Sequence, residues 1–250
     1  MSLVALGLLV FFAFLVEAAA GFGSMVIALT VGALWAPVDQ LLVWLVPVNL
    51  VLSCWLVARG WGHIDWRFAL TKLLPLMGVG LGVGLIISSR AAQATWVKPV
   101  FGAFVVAVSV WQLRGASEAA SAPLPLPTRV LALVGAGVIH GLYATGGPLA
   151  VFVSARELPE KARFRATLSL LWVVLNIAVI ARFAFDGKLT TESLGVSAWM
   201  LLPLGVGIAA GEWVHHRLDE RRFRVVVAAL LLVAGLVLTI NSLRAQAGAS

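Results

Sequence analysis

Apolar residues run along this chain in blocks of about 20, parted by short polar turns. That is the length at which a helix spans the roughly 30 Å hydrocarbon core of a bilayer. Breaks at charges, prolines and polar clusters leave eight apolar segments: Leu3 to Trp35, Val38 to Ala58, Trp66 to Ser88, Trp96 to Leu113, Val130 to Ala155, Ala166 to Phe185, Leu194 to Trp213, and Val225 to Ile240. None of them requires a strand. The one long polar stretch, Arg114 to Arg129, carries alternating prolines that resist helix and reads as an extended linker. The pattern predicts an N-terminal membrane repeat over 1–113, a linker over 114–129 and a C-terminal membrane repeat over 130–250, polar and frayed after Leu243.

The two halves share landmarks in one order. Asn49 precedes Gly60 by eleven residues, and Asn176 precedes Gly187 by eleven. Each half then has Leu-Leu-Pro-Leu, around Pro75 and Pro203, leading into a glycine ladder with Gly80 and Gly84 or Gly207 and Gly211. At the front of each half an ionisable residue stands six positions before a small pair: Glu17 before Gly23-Ser24, His140 before Gly146-Gly147. These landmarks lie 123 to 128 residues apart, the mark of an internal repeat. Secondary transporters are often built this way, with substrate held where the repeats meet.

The first segment, at 33 residues, would be about 50 Å long as one helix, too long for an ordinary crossing. It is interrupted by Ala-Gly-Phe-Gly-Ser at 20–24, and the fifth segment by a Gly- and Pro-containing stretch at 141–148. Each is either a kinked helix or two helical pieces folded back. Loop charge separates the two. Eight single crossings split Lys and Arg eight against ten, whereas first and fifth segments that enter and leave on one side give thirteen against five. The positive-inside rule favours the second arrangement, with both termini outside the cytoplasm and the halves as inverted repeats. The fold class expected is therefore an all-α integral membrane protein of two homologous four-segment halves, inverted, with Gly-broken first and fifth segments.

Composition agrees: 61% of residues are apolar, 12% are charged, and mean hydropathy is +1.02. The net charge of +7 sits in short loops, where it sets orientation and meets anionic membrane lipid, so nucleic acid is not an expected partner. The apolar start lacks a basic n-region and has Glu17 where cleavage would fall, so it reads as mature structure. The single Cys54 reads as a small buried apolar residue.

Irregular backbone at membrane depth leaves amide groups that lipid cannot satisfy, so such breaks belong inside protein or against a wet cavity. A helical piece starting after Gly23-Ser24 or Gly146-Gly147 would present free N–H groups and the positive end of its dipole to a small oxyanion. Close helix packing is the alternative use of small residues, and the one preferred for the Gly80 and Gly207 ladders. Glu17 and His140 are ionisable within apolar segments and are candidates to carry a proton; a helix cap for Glu17 and a structural hydrogen bond for His140 are the alternatives. Asn49 and Asn176, at equivalent places, either bind substrate or hold freed backbone. Thr167 and Ser169 either donate to an anion or bond back to their own helix. Most of the ten Trp residues fall near segment ends as interface belts, while Trp44 and Trp172, one turn before the paired Asn residues, are placed to wall a cavity. His215 and His216 lack metal-site spacing, and no hydrolase, zinc-protease or P-loop motif occurs, so neither an enzyme nor a bound metal or cofactor is expected.

The Gly-rich break near the start of each half, the stretch from Leu158 to Ser169 and the paired four-segment halves resemble the TauE/SafE family of sulfite exporters and related permeases. The resemblance implies an inner-membrane carrier for a small anion, such as sulfite, a sulfonate or another organosulfur compound. The second half follows the family pattern at Thr145, Gly146, Gly147, Pro148, Pro159, Ala166, Thr167 and Ser169; the first departs from it at Ser24 and over Trp44 to Asn49. The expected substrate site is Gly23, Ser24, Asn49, Thr145, Gly146, Gly147, Thr167, Ser169 and Asn176, with Glu17 and His140 moving a proton. A non-transporting membrane scaffold or subunit is the alternative.

Overall fold

Where the first apolar segment is too long to cross once, the chain turns back on itself. In the computed structural model, which describes residues 3–91, 97–115, 124–158, 160–215 and, beyond them, 232, 235–237, 239, 240 and 243, it forms helices α1 (Leu3–Ala20) and α2 (Ser24–Gly32). The turn between them takes Gly21 and Gly23 at φ +84° and +109°, a region that side chains bearing Cβ avoid. The end of α2 returns to the first half of α1, since a Cβ on Gly32 would lie 3.4 Å from the Leu9 side chain. The fifth segment repeats this as α7 (Leu126–Tyr143) and α8 (Gly147–Glu157), with Ala144 at φ +51° closing α7. Arg129, in the first turn of α7, binds Glu157, the last residue of α8, at 2.8 Å. Both broken segments are thus helical hairpins that enter and leave on one side. From Arg129 to the tip the second hairpin reaches about 22 Å into the protein.

Between and after the hairpins run α3 (Val38–Gly60), a short α4 (Trp66–Phe68) merging through a π turn (Ala69–Leu73) into α5 (Leu74–Ala91), α6 (Val97–Gly115), α9 (Lys161–Phe185) and α10 (Thr191–His215). No strand occurs among the described residues. Five helical stretches there are long and apolar enough to cross a membrane: Val38–His63, Trp66–Ser89, Leu126–Tyr143, Lys161–Phe185 and Thr191–Val214. Exposed Phe12, Val79, Leu131, Leu202 and Val206 give the outer surface the apolar character lipid requires. Cys54 is exposed, contrary to the expectation of a buried residue. In a bilayer the outer face is as apolar as the core, so hydrophobicity does not decide burial.

The glycine ladders do pack helices closely. Cβ atoms on Gly137 and Gly141 of α7 would strike the α5 backbone near Gly80 and Gly84, while Gly207 and Gly211 of α10 lie against Phe11, Leu15 and Ala18 of α1. The order of these contacts makes α5 parallel to α7 and α10 parallel to α1. Helices α3 and α9 cross antiparallel, Gly60 against Ala166 at one end and Asn49 against Asn176 in the middle. The starts of α1, α2 and α3 precede those of α7, α8 and α9 by 123 residues each.

Of the expected linker, residues 116–123 lie outside the described residues; Arg114 and Gly115 end α6 and α7 begins at Leu126, with Pro127 in the first turn where its missing N–H costs nothing. The segment Val225 to Ile240, together with His216 and the basic run after it, lies for the most part outside the described residues.

Candidate functional site

The tips of the two hairpins meet in the interior, where the Gly147 position lies about 4.0 Å from the Phe22 side chain. Around this meeting point is a cavity of about 20 Å³ lined by Glu17, Gly23, Met25, Val26, Asn49, His140, Ala144, Thr145, Gly147 and Trp172. That volume is about what one water molecule needs.

Glu17, one turn before the end of α1, is only 3% exposed. Its Oε2 accepts the backbone N–H of Ser24 at 3.1 Å and the Ser24 hydroxyl, and its Oε1 accepts Asn49 Nδ2 at 2.9 Å. Asn49 Nδ2 also reaches Ser24 Oγ at 3.0 Å, and Asn49 Oδ1 accepts Asn176 Nδ2 at 2.6 Å. A continuous polar chain therefore runs from the first hairpin through α3 to α9. Its far end is open, because Asn176 Oδ1 is buried without a hydrogen-bond partner among the described residues.

The second tip differs. His140, 2% exposed, stacks on Trp172 with ring centroids 5.7 Å apart and planes 10° from parallel. Neither of its ring nitrogens has a hydrogen-bond partner among the described residues; the Asn176 carboxamide faces the ring without reaching hydrogen-bond geometry. The Thr145 hydroxyl, also 2% exposed, is likewise unpartnered among them. Trp172 crosses to the other hairpin, donating its indole N–H to the Gly21 carbonyl at 3.3 Å.

The structure thus brings together Glu17, Gly23, Ser24, Asn49, His140, Thr145, Gly147 and Asn176. Gly146 lies behind the tip, its Cβ position 3.0 Å from the His140 side chain. Thr167 and Ser169 are not brought to the cavity. Thr167 Oγ1 accepts the Asp65 N–H at 2.9 Å, and the Ser169 hydroxyl donates to the Arg165 carbonyl at 2.8 Å. Of the two Trp residues placed to wall a cavity, Trp172 does so, whereas the Trp44 carbonyl accepts the Ser197 hydroxyl of α10 at 2.8 Å, one turn before Pro47 interrupts the helix ladder.

Two ion-pair sites are not legible as pairs in the sequence, where their basic members read as loop charge. Glu157, where the second hairpin ends, binds Lys72 at 2.9 Å and Arg129 at 2.8 Å. The Lys72 hydrogen bond, with Arg129 beside it, holds the Glu157 carboxyl below the usual carboxylate range. Arg165 of α9 pairs with Glu212 of α10 directly behind the first tip, its side chain within 3.1 Å of the Gly21 Cβ position. Only an opposite charge in the segment each one packs against would have signalled these.

No group of three or more His, Cys, Asp or Glu suited to a metal ion occurs among the described residues. The chain is 29% identical over 178 residues to the probable inner membrane transporter protein TsaS of Comamonas testosteroni, a match covering 71% of this chain and 73% of that protein. It is 28% identical over 195 residues to the probable sulfite/organosulfonate exporter TauE of Cupriavidus necator, covering 74% and 72%. No solved structure matches it significantly. The model of the family described as sulfite exporter TauE/SafE matches residues 6–238, nearly the whole length over which the two hairpins and their crossing helices are laid out, and the chain belongs to that family.

Proposed function

We propose that this transporter is a secondary carrier of the inner membrane that moves a small oxyanion, sulfite or an organosulfonate, by alternating access between inverted halves. One observation carries the reading: two hairpin tips meet at a small cavity, and the start of α8 there is flanked by Thr145 and His140, both buried and without a hydrogen-bond partner among the described residues. Backbone N–H groups and the helix dipole at such a start suit a small anion without an Arg at membrane depth. The family is one of transporters, not enzymes. The names of its relatives in C. testosteroni and C. necator agree with the substrate class and the membrane. The parallel packing of α1 with α10 and of α7 with α5, exchanged by swapping the halves, supports the inverted relation.

Glu17, ionisable and lining the same cavity, supports proton movement as part of this reading. Two unit charges of like sign about 6 Å apart repel by about 3 kcal/mol at an effective dielectric near 20. A proton taken up by Glu17 or His140 with the anion removes that cost. The test is flux of labelled sulfite and of organosulfonates in proteoliposomes holding the purified protein, with and without a proton gradient. Saturable flux that responds to the gradient is expected. No flux for any of these anions would favour a non-transporting scaffold.

A further inference from the structure

Helix α2 starts at Ser24 and α8 at Gly147, and in each hairpin the residue seven before that start is ionisable, Glu17 in one and His140 in the other. At the first tip the Glu17 carboxylate turns onto the helix that follows it. It takes the Ser24 N–H at 3.1 Å, the Ser24 hydroxyl, and Asn49 Nδ2 at 2.9 Å. A carboxylate on the first N–H of a helix, with a hydroxyl and an amide donor beside it, is what a free oxyanion would find there. The second tip has no carboxylate at the matching place. It has instead two polar side chains, His140 and Thr145, both lining the cavity, both 2% exposed and both without a hydrogen-bond partner among the described residues.

We propose that the hairpins form one self-filled and one open anion site: Glu17 is the resident ligand of the first tip, and the second tip takes a single SO3-type oxyanion through Thr145, His140 and the Gly147 N–H. The assignment rests on the anion-carrier reading and narrows it. Ser24, symmetric in sequence with Gly147, does not contact substrate, because a carboxylate of the chain already holds its N–H and hydroxyl. Among the described residues, the cavity-lining side chains with unpartnered donors belong to the second tip, so the carrier takes one anion per cycle. The short reach of the Glu17 side chain makes its occupancy of the first tip intramolecular, so millimolar free anion does not displace it.

The experiment removes the resident ligand and offers a substitute. Wild type, Glu17→Ala and Glu17→Gln, purified in nanodiscs, are titrated with formate and with sulfite at constant ionic strength, followed by calorimetry and thermal unfolding. Formate is the carboxylate of Glu17 without its chain. Wild type is expected to bind one sulfite and to ignore formate up to tens of millimolar. Glu17→Ala is expected to be stabilised saturably by formate and to bind a second sulfite. Glu17→Gln keeps the side chain's volume and its Asn49 acceptor, so one sulfite and no formate response are expected. Glu17→Ala that folds but ignores formate while wild type binds sulfite overturns the proposal and leaves the carrier reading intact. Where Glu17→Ala does not fold, a formate response or a second sulfite in Glu17→Gln overturns it equally. Formate stabilisation of Glu17→Ala with no sulfite bound to any variant overturns the second-tip assignment together with the carrier reading.

Discussion

Thr145→Val separates binding from folding because the two effects have opposite signs. The Thr145 hydroxyl is buried and unpartnered among the described residues, and valine replaces it with a methyl group of similar shape. A buried hydroxyl without a hydrogen bond costs about 1–3 kcal/mol, so its removal should raise stability. In a chain of this size about 1 kcal/mol moves the unfolding midpoint by about 2–4 °C. Toward an oxyanion the same hydroxyl is a charge-assisted donor worth about 1.5–3 kcal/mol, so its loss weakens binding about 10- to 150-fold. Two titrations in detergent or nanodiscs read the outcome: the thermal midpoint without ligand, and calorimetric binding of sulfite. The expected result is a higher midpoint with a weaker Kd. A lower midpoint with an unchanged Kd would refute the reasoning, because Thr145 would then be holding the tip together.

The ladder glycines divide by what surrounds them. A Cβ on Gly141 would lie 2.7 Å from the Leu81 carbonyl and 2.8 Å from Gly84 Cα, all backbone, so Gly141→Ala should lower the thermal midpoint through overpacking of about 1–3 kcal/mol. Gly82 has nothing within 4 Å of its Cβ position, so Gly82→Ala should raise the midpoint by up to about 1 kcal/mol in equivalent stability; equal effects at both sites would contradict the packing. Removing one partner of the Arg165–Glu212 pair leaves a part-buried charge alone, so Arg165→Met should cost on the order of 2–3 kcal/mol, and adding Glu212→Leu should recover most of it; a double variant no better than the single would show that the pair is not the reason. Glu157 titrates below the ordinary carboxylate range in the folded protein, so its contribution is whole above the unfolded value of about 4.3 and is lost as pH falls through the folded one. Thermal midpoints measured from pH 6 downward should therefore drop more steeply in wild type than in Glu157→Gln, and parallel curves would remove Glu157 from the acid response.

The hairpins were legible in the sequence because helix length and glycine chemistry act locally. A run of 33 apolar residues with Gly21 and Gly23 in its middle has few other ways to fit a bilayer. Loop charge then selected folding back, and the Arg129–Glu157 and Leu9–Gly32 contacts agree with that selection. Glu17 and His140 stood out for the same local reason, as ionisable residues in apolar surroundings. What could not be read was which donors were already spent. Ser24 and Thr145 look alike in sequence, yet Ser24 is held by Glu17 and Thr145 is unpartnered among the described residues. Thr167 and Ser169 share a helix with Asn176, but seven to nine residues along α9 is about 10–14 Å, far enough to carry them from the cavity toward the end where Asp65 lies. Arg165 and Glu212 are 47 residues apart and meet only because α9 and α10 pack beside the first tip.

The central claim is that a small oxyanion crosses the membrane through the space where the hairpin tips meet. Counterflow of labelled sulfite in proteoliposomes tests it most directly, since unlabelled sulfite inside then drives label inward without any other energy source. The account predicts transient accumulation of label that saturates with sulfite, is competed by organosulfonates and is reduced at subsaturating sulfite in Thr145→Val. Label that equilibrates no faster than in protein-free vesicles, or accumulates equally with Thr145→Val at subsaturating sulfite, would contradict it.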